Sequence, residues 1–293
     1  MATDPMREMQ QGVYGVLGQN IEYTLSPVIF RHVFATLRWP AVYAIFDKAP
    51  ARVKQFVNAA FDAGIVGFNV TKPYKVAIIE HLDRLDATAR AVGAVNTVVC
   101  RAGGAVGYNT DVDGVEWVLA RFRKRLEGRH AIVIGAGGAA RATAYALVTR
   151  FGMAEIVFAA RRPKRAEAVA GDLERHCPKA SFDIVNIEKL HLDARVGDAA
   201  LLVNASPVGM GPLRNRLPMP ARVALSPRTV AFDLIYRPRQ TRFLQRAQRA
   251  GCRTVNGWPM LIAQAERALQ IWTGRQFPRK ARTQLLDWDP DRS

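Results

Sequence analysis

The chain has 293 residues, 49% of them apolar, and carries 42 Lys and Arg against 25 Asp and Glu, a formal charge of +17. This length suggests about two domains. No apolar run reaches the roughly 18 residues of a membrane span, and the N-terminal MATDPMREMQ lacks the apolar stretch of a secretory signal. Three scattered cysteines (Cys100, Cys177, Cys252) and five scattered histidines argue against a disulfide framework or a metal site. The expectation is a soluble cytoplasmic protein. A field this positive attracts anions, yet no helix-turn-helix, zinc-finger or RNP pattern accompanies it. Nucleic acid is therefore not the expected partner, and the basicity reads as compositional, with meaning only at local clusters.

In chain order, residues 13–18 read as a strand, and Ser26-Pro27 opens a helix through Leu37, the hydroxyl capping and proline taking the first helical position. Residues 41–46 read as a strand, 52–63 as a helix and 67–70 as a strand. A helix over 74–82 follows Pro73, and 94–99 is a further strand. Alternation of this kind implies a mostly parallel sheet. A second unit begins near Asp111, with a helix over 114–126 and an apolar strand over 131–134. Then come a helix over 141–148, strands over 156–160, 201–204 and 229–233, and helices over 241–250 and 260–272. The tail after Gly274 is polar and basic. The expected fold class is α/β in two domains, 1–110 completed by helices in 256–293, and a doubly wound unit over 111–255.

Between the apolar strand and its helix lies Gly135-Ala136-Gly137-Gly138-Ala139-Ala140, which satisfies G-x-G-x-x-G/A. The first glycine makes the tight turn, the second lets the backbone approach a pyrophosphate, and the small third residue permits close helix–strand packing. This context predicts a dinucleotide site. An NAD site needs an acid at the end of the next strand. Glu155 precedes that strand, which ends instead in Ala160-Arg161-Arg162-Pro163-Lys164-Arg165. Arginine forks match phosphate bidentately, so the expected cofactor is NADP(H).

Asn69-Val70-Thr71-Lys72-Pro73-Tyr74-Lys75 places a hydroxyl and two amines around a helix start. Lys75 falls in the first turn, where the positive end of the helix dipole opposes its charge and suits it to proton exchange. A solvated lysine is the alternative. Asp111, in Asn109-Thr110-Asp111, is either a helix cap or a partner for that lysine.

Thr24-Leu25-Ser26-Pro27, Asn69-Val70-Thr71-x-Pro73-x-Lys75, Gly93-Ala94-Val95-Asn96-Thr97 and Asn109-Thr110-Asp111 stand here in the order found in the shikimate dehydrogenase family. So do Gly135-Ala136-Gly137-Gly138-Ala139, Asn204-Ala205-Ser206 and Met260-Leu261-x-x-Gln264, and the chain resembles that family from about Val13 to Gly274. The resemblance implies an N-terminal substrate-binding domain, a Rossmann-like NADP-binding domain, and reduction of 3-dehydroshikimate to shikimate with NADPH by a monomer or homodimer. It implies Lys75 and Asp111 as the catalytic pair. Thr24 and Ser26 would bind the substrate carboxylate, Thr71, Asn96 and Gln264 the ring oxygens, and Tyr236 would line the pocket. It further implies Gly135, Gly137, Gly138 and Ala139 on the pyrophosphate, with Arg161 and Arg165 on the 2′-phosphate. Thr24 stands where the family usually has serine, Tyr23 replaces a frequent histidine, Ala160 replaces the usual asparagine, and Trp258-Pro259 is unusual. A quinate/shikimate dehydrogenase and a non-catalytic NADP-binding regulator are the alternatives.

Overall fold

A computed structural model of the chain describes residues 12–292. The segment MATDPMREMQ, on which the expectation of no signal rests, lies outside the described residues. The chain divides into two compact units. One holds the residues through Arg90, Ala94–Thr110 and Ala265–Trp288; the other holds Ala91–Gly93, Asp111–Gln264 and the residues from Asp289 onward.

The first unit opens with β1 (Val13–Gly18), α1 (Ser26–Thr36), β2 (Val42–Asp47), α2 (Val53–Ala59), β3 (Ile65–Val70) and α3 (Tyr74–Ala77). β4 (Arg84–Leu85), α4 (Ala87–Val92), β5 (Thr97–Arg101) and β6 (Gly104–Tyr108) follow. They form a six-stranded sheet in the order β2-β1-β3-β5-β6-β4. All pairings are parallel except those of β5, which runs against β3 and β6. Its core includes Leu17, Phe68, Val70, Ile78, Val95 and Val98. The helix expected over 52–63 is a 3₁₀ turn at Pro50–Arg52 followed by the shorter α2. The strand expected over 94–99 begins only at Thr97, because Val95 donates its N–H to the Lys75 carbonyl at 2.7 Å.

The second unit runs α5 (Asp111–Leu119), α6 (Arg123–Leu126), β7 (His130–Ile134), α7 (Gly138–Phe151), β8 (Glu155–Ala160), α8 (Pro163–Glu174) and β9 (Ser181–Asn186). It continues with β10 (Leu201–Asn204), β11 (Val230–Asp233), α9 (Arg242–Arg249), β12 (Arg253–Val255) and α10 (Trp258–Thr273), and the unit boundary falls inside α10. The sheet is wholly parallel in the order β12-β11-β10-β7-β8-β9, the doubly wound arrangement. Apolar runs such as Leu201-Leu202-Val203 and Val230-Ala231-Phe232 are buried throughout, as strands covered on both faces must be. Gly152 closes α7 in the left-handed conformation at φ +64°, a turn that a Cβ would strain. Thr241 caps α9, its hydroxyl accepting the Leu244 N–H at 3.2 Å.

After α10 the chain forms α11 (Arg279–Asp287), so the basic tail is a docked helix. Phe277, Ala281 and Leu285, spaced by four, are buried on one face against α1. They join an aromatic layer of Tyr14, Phe30, Phe34, Trp39 and Trp272. Burying such rings is worth ~1.5–3 kcal/mol each. Trp272 passes its indole beside Gly67, where a Cβ would sit 2.4 Å from Nε1, and donates to the Val98 carbonyl at 2.9 Å.

Candidate active site

In the first unit the chain leaves β1 for β2 on one side and returns to β3 on the other. The loops at the carboxyl ends of β1 and β3 therefore diverge, which in open α/β sheets is where ligands bind. Thr24, Ser26, Thr71, Lys75 and Asn96 all lie along this edge. Ser26 is the first residue of α1, and Leu25 occupies the capping position without a side-chain bond. The Ser26 hydroxyl is instead part of a polar web. Thr24 Oγ1 donates to Ser26 Oγ at 3.3 Å, and Ser26 bonds to the Tyr43 phenol. Tyr43 donates to Asn69 Oδ1 at 2.7 Å, and Asn69 Nδ2 donates to the Asn96 carbonyl at 3.2 Å and to Thr97 Oγ1 at 3.1 Å. Because Asn69 gives its amine to a carbonyl, its oxygen must face Tyr43, which fixes the phenol as donor. Burial pushes the Tyr43 phenol well above its ordinary value, against the Ser26 bond that lowers it, so it stays protonated. Phe30 stacks on it at 4.3 Å.

Asn96 is almost fully buried. Its Oδ1 accepts the Thr110 N–H at 2.7 Å while its Nδ2 donates to Thr110 Oγ1 at 3.0 Å, an orientation that admits no flip. Thr71 is half-buried, held by its N–H on the Leu17 carbonyl at 2.9 Å.

Lys75 is half-buried, but the helix expected over 74–82 is a single α-turn continued as a 3₁₀ turn at Ile78–His81. In one turn the first and last turns coincide, so the dipole argument for Lys75 loses its sign. What remains is placement, with Lys75 on the first turn after β3. Lys72 is exposed and lies over the Tyr23 ring at 4.9 Å.

In the second unit the strand order reverses between β7 and β10, and Gly135, Gly137, Gly138 and Ala139 occupy the β7 end. Gly135 takes φ +115° and packs so closely on the β10 loop that a Cβ would meet the Ala205 carbonyl at 3.1 Å. Gly137 is the N-cap of α7, and a Cβ there would meet nothing within 4 Å, leaving the backbone open to a ligand. Ala140 is fully buried. Arg161, Arg162, Lys164 and Arg165 run from the end of β8 into the first turn of α8, all four open to solvent, and none forms an ion pair among the described residues. Glu155, the nearest acid by count, is held at 2.6 Å by Arg195 at the opposite end of β8. An open backbone at a 14-residue helix N-terminus with unneutralised guanidiniums beyond the second strand fits NADP.

Three residues at this edge are functional candidates that the sequence pattern did not single out as a group. Asn204, fully buried, accepts the Ser206 N–H and hydroxyl at 3.1 and 2.7 Å and donates to the Val208 carbonyl and to Asp233 Oδ1 at 2.9 and 3.0 Å. Asp233 also accepts from the Ile235 N–H and the Thr241 hydroxyl at 3.0 and 2.6 Å. Burial lifts its carboxyl to about 7, against three bonds that lower it. The clamp formed by Asn204, Asp233 and Thr241 fixes the loops after β10 and β11. The only available signal was the conjunction of Asn204-Ala205-Ser206 with a strand ending in Asp.

Tyr236 follows that clamp, half-buried, with Trp258 6.5 Å away ring to ring. Gln264 is buried on α10 and donates to the Leu261 carbonyl at 2.8 Å. Asp111 is the first residue of α5 and buried, where its charge complements the helix N-terminus.

Residues 16–98 match the family description "Shikimate dehydrogenase substrate binding domain", and residues 257–284 match "Shikimate 5'-dehydrogenase C-terminal domain". Over 275 residues the chain is 38% identical to the shikimate dehydrogenase (NADP(+)) of Methanopyrus kandleri, covering 92% of this chain and 93% of that one. The chain belongs to the shikimate dehydrogenase family. Within that family's fold, the crystal structure of the Thermus thermophilus shikimate 5-dehydrogenase in complex with NADP(H) and shikimate matches at 33% identity with a TM-score of 0.77, covering 94% of this chain and 98% of that one. Quinate dehydrogenase from Corynebacterium glutamicum in complex with NAD matches at 29% identity with a TM-score of 0.84, covering 95% and 99%. Among the described residues no helix is long and apolar enough to cross a membrane.

Proposed function

We propose that this chain catalyses the reversible NADPH-dependent reduction of 3-dehydroshikimate to shikimate, a cytoplasmic step of aromatic amino acid biosynthesis. The observation that carries this reading is the gathering of Thr24, Ser26, Thr71, Lys75 and Asn96 along the carboxyl edge of one sheet. A polyhydroxylated ring acid needs such a wall of hydroxyls and amides, with one cation beside it. Thr24 and Ser26 bind the substrate carboxylate by turning toward it the hydroxyl protons they otherwise pass to Ser26 and Tyr43. Thr71 and Asn96, with Gln264, take the ring hydroxyls, and Tyr236 lines the pocket. The web behind Asn69 and Asn96 keeps these groups aligned before substrate arrives, so less orientation entropy is lost on binding.

Gly135, Gly137, Gly138 and Ala139 hold the pyrophosphate, and Arg161 and Arg165 hold the 2′-phosphate. When bound, the reduced nicotinamide supplies the hydride that adds to the ring carbonyl carbon. Lys75 steadies the negative charge growing on the carbonyl oxygen and passes a proton to it. In the reverse direction Lys75 takes that proton back, and Asp111 orients the reacting hydroxyl. Quinate is the competing substrate, since a quinate dehydrogenase shares the fold. An NAD-dependent member needs a ribose-binding acid, and Ala160-Arg161 occupies that place.

The test is oxidation of shikimate and quinate, each with NADP+ and NAD+, side by side. Fast turnover of shikimate with NADP+ is expected. Turnover of neither acid would sink the reading, and preference for quinate with NAD+ would replace it.

A further inference from the structure

A basic run as dense as that at 161–165, Arg121-Phe122-Arg123-Lys124-Arg125, has no part in the reaction above. It ends the 3₁₀ turn that follows α5 and forms most of α6, with its four basic residues exposed. With Ala120 and Arg253 it lines an open surface recess of about 370 Å³, within the range of small-molecule sites. Arg253 is the first residue of β12, an edge strand far from α6 in sequence, so the site is assembled by the fold.

The cations in it are not equivalent. Arg123 lies over the Phe151 ring at 4.9 Å, pairs with Glu116 at 3.4 Å and donates to the Arg150 carbonyl. It is a neutralised, fixed wall. Arg121 lies over Phe122 at 4.8 Å, which holds its guanidinium plane without cancelling its charge. Arg121, Lys124, Arg125 and Arg253 meet no carboxylate among the described residues. Four unneutralised cations around one recess repel each other unless an anion is present, and guanidinium forks select oxyanions with paired oxygens.

We propose that this recess is a second anion site, taking a small ligand with a phosphoanhydride or comparable polyphosphate group. It is separate from the dinucleotide loop. Arg253 and the chain entering β7 lie at the amino ends of the parallel strands and Gly135 at the carboxyl end, roughly 15 Å apart along a five-residue strand. A ligand here does not compete with NADP.

The experiment is calorimetric titration of inorganic pyrophosphate into the full-length protein saturated with NADP+, so that the glycine loop and Arg161 are already filled. One equivalent is expected to bind. Arg125→Ala with Arg253→Ala should weaken it at least tenfold, with affinity falling as salt rises and the KM for NADPH unchanged. Absence of saturable binding, or equal binding by the double variant, would overturn the proposal. So would a double-stranded oligonucleotide binding more tightly than pyrophosphate through the same two arginines, since the surface would then serve nucleic acid.

Discussion

At the carboxyl edge of the first sheet the polar groups are side chains, Thr24, Ser26, Tyr43, Asn69, Asn96 and Thr97, each oriented by the next. At the carboxyl edge of the second they are mainly backbone, Gly135, Gly137 and the start of α7, with exposed arginines beyond. One edge presents directional, uncharged donors in a buried web; the other presents open N–H groups and solvated charge. A ring acid and a dinucleotide phosphate call for these two solutions respectively. Mutations should therefore act through geometry and turnover on the first edge, and through charge and cofactor choice on the second.

The largest effect belongs to Lys75. Lys75→Ala is expected to lower kcat by about 10²–10⁴, the range of a general acid, while leaving NADPH binding, measured by calorimetry, nearly unchanged. A loss of only a few-fold would remove Lys75 from the chemistry.

Asp233 probes the clamp on the second edge. Its folded pKa, about 7, lies above the ordinary carboxylate value, so the folded state holds its proton longer than the unfolded chain. Its stabilisation is complete below the unfolded value and fades as pH rises toward about 7. Three units amount to about 4 kcal/mol at most. Asp233→Asn can keep the web by donating its amide to the Thr241 hydroxyl. Denaturant titrations between pH 4 and 8 should show the wild type losing stability with pH relative to this variant, and parallel curves would exclude the effect.

Arg161→Ala comes next. One charge-assisted pair is worth about 1.5–3 kcal/mol, so KM for NADPH should rise roughly 10–100-fold while NADH is little affected. Equal weakening of both would dismiss the 2′-phosphate role. Thr24→Ser is the finest probe, because it keeps the hydroxyl and removes only a methyl group. The KM for shikimate should change less than about threefold, whereas Thr24→Ala should raise it by about tenfold with kcat retained.

The second sheet was the more legible in sequence. Its strands are short apolar runs buried on both faces, and the glycine loop sits directly after one of them. β9, with Ser181-Phe182-Asp183-Ile184 alternating at an edge, and the three-residue β12 carry too little pattern to stand out. In the first sheet, β6 contains two glycines in five residues, Gly104 and Gly107, which masks a strand. α11 was hidden because its basic residues outweigh the stripe of Phe277, Ala281 and Leu285. The motif around Lys75 is legible, but the helical reason for its chemistry fails, since one turn has no distinct ends. The web behind it was not legible at all. Tyr43, Asn69 and Thr97 meet across separations of 26 to 28 residues, and no local pattern encodes that.

Trp272 reaches Val98 across 174 positions, through the gap left by Gly67. The first sheet's aromatic face is thus roofed by residues that are synthesised long after its own strands. The second unit's strands lie in one uninterrupted stretch, so that sheet can close while the chain is still being made. The first unit's strands are made before the second's, yet its own roof is made after them.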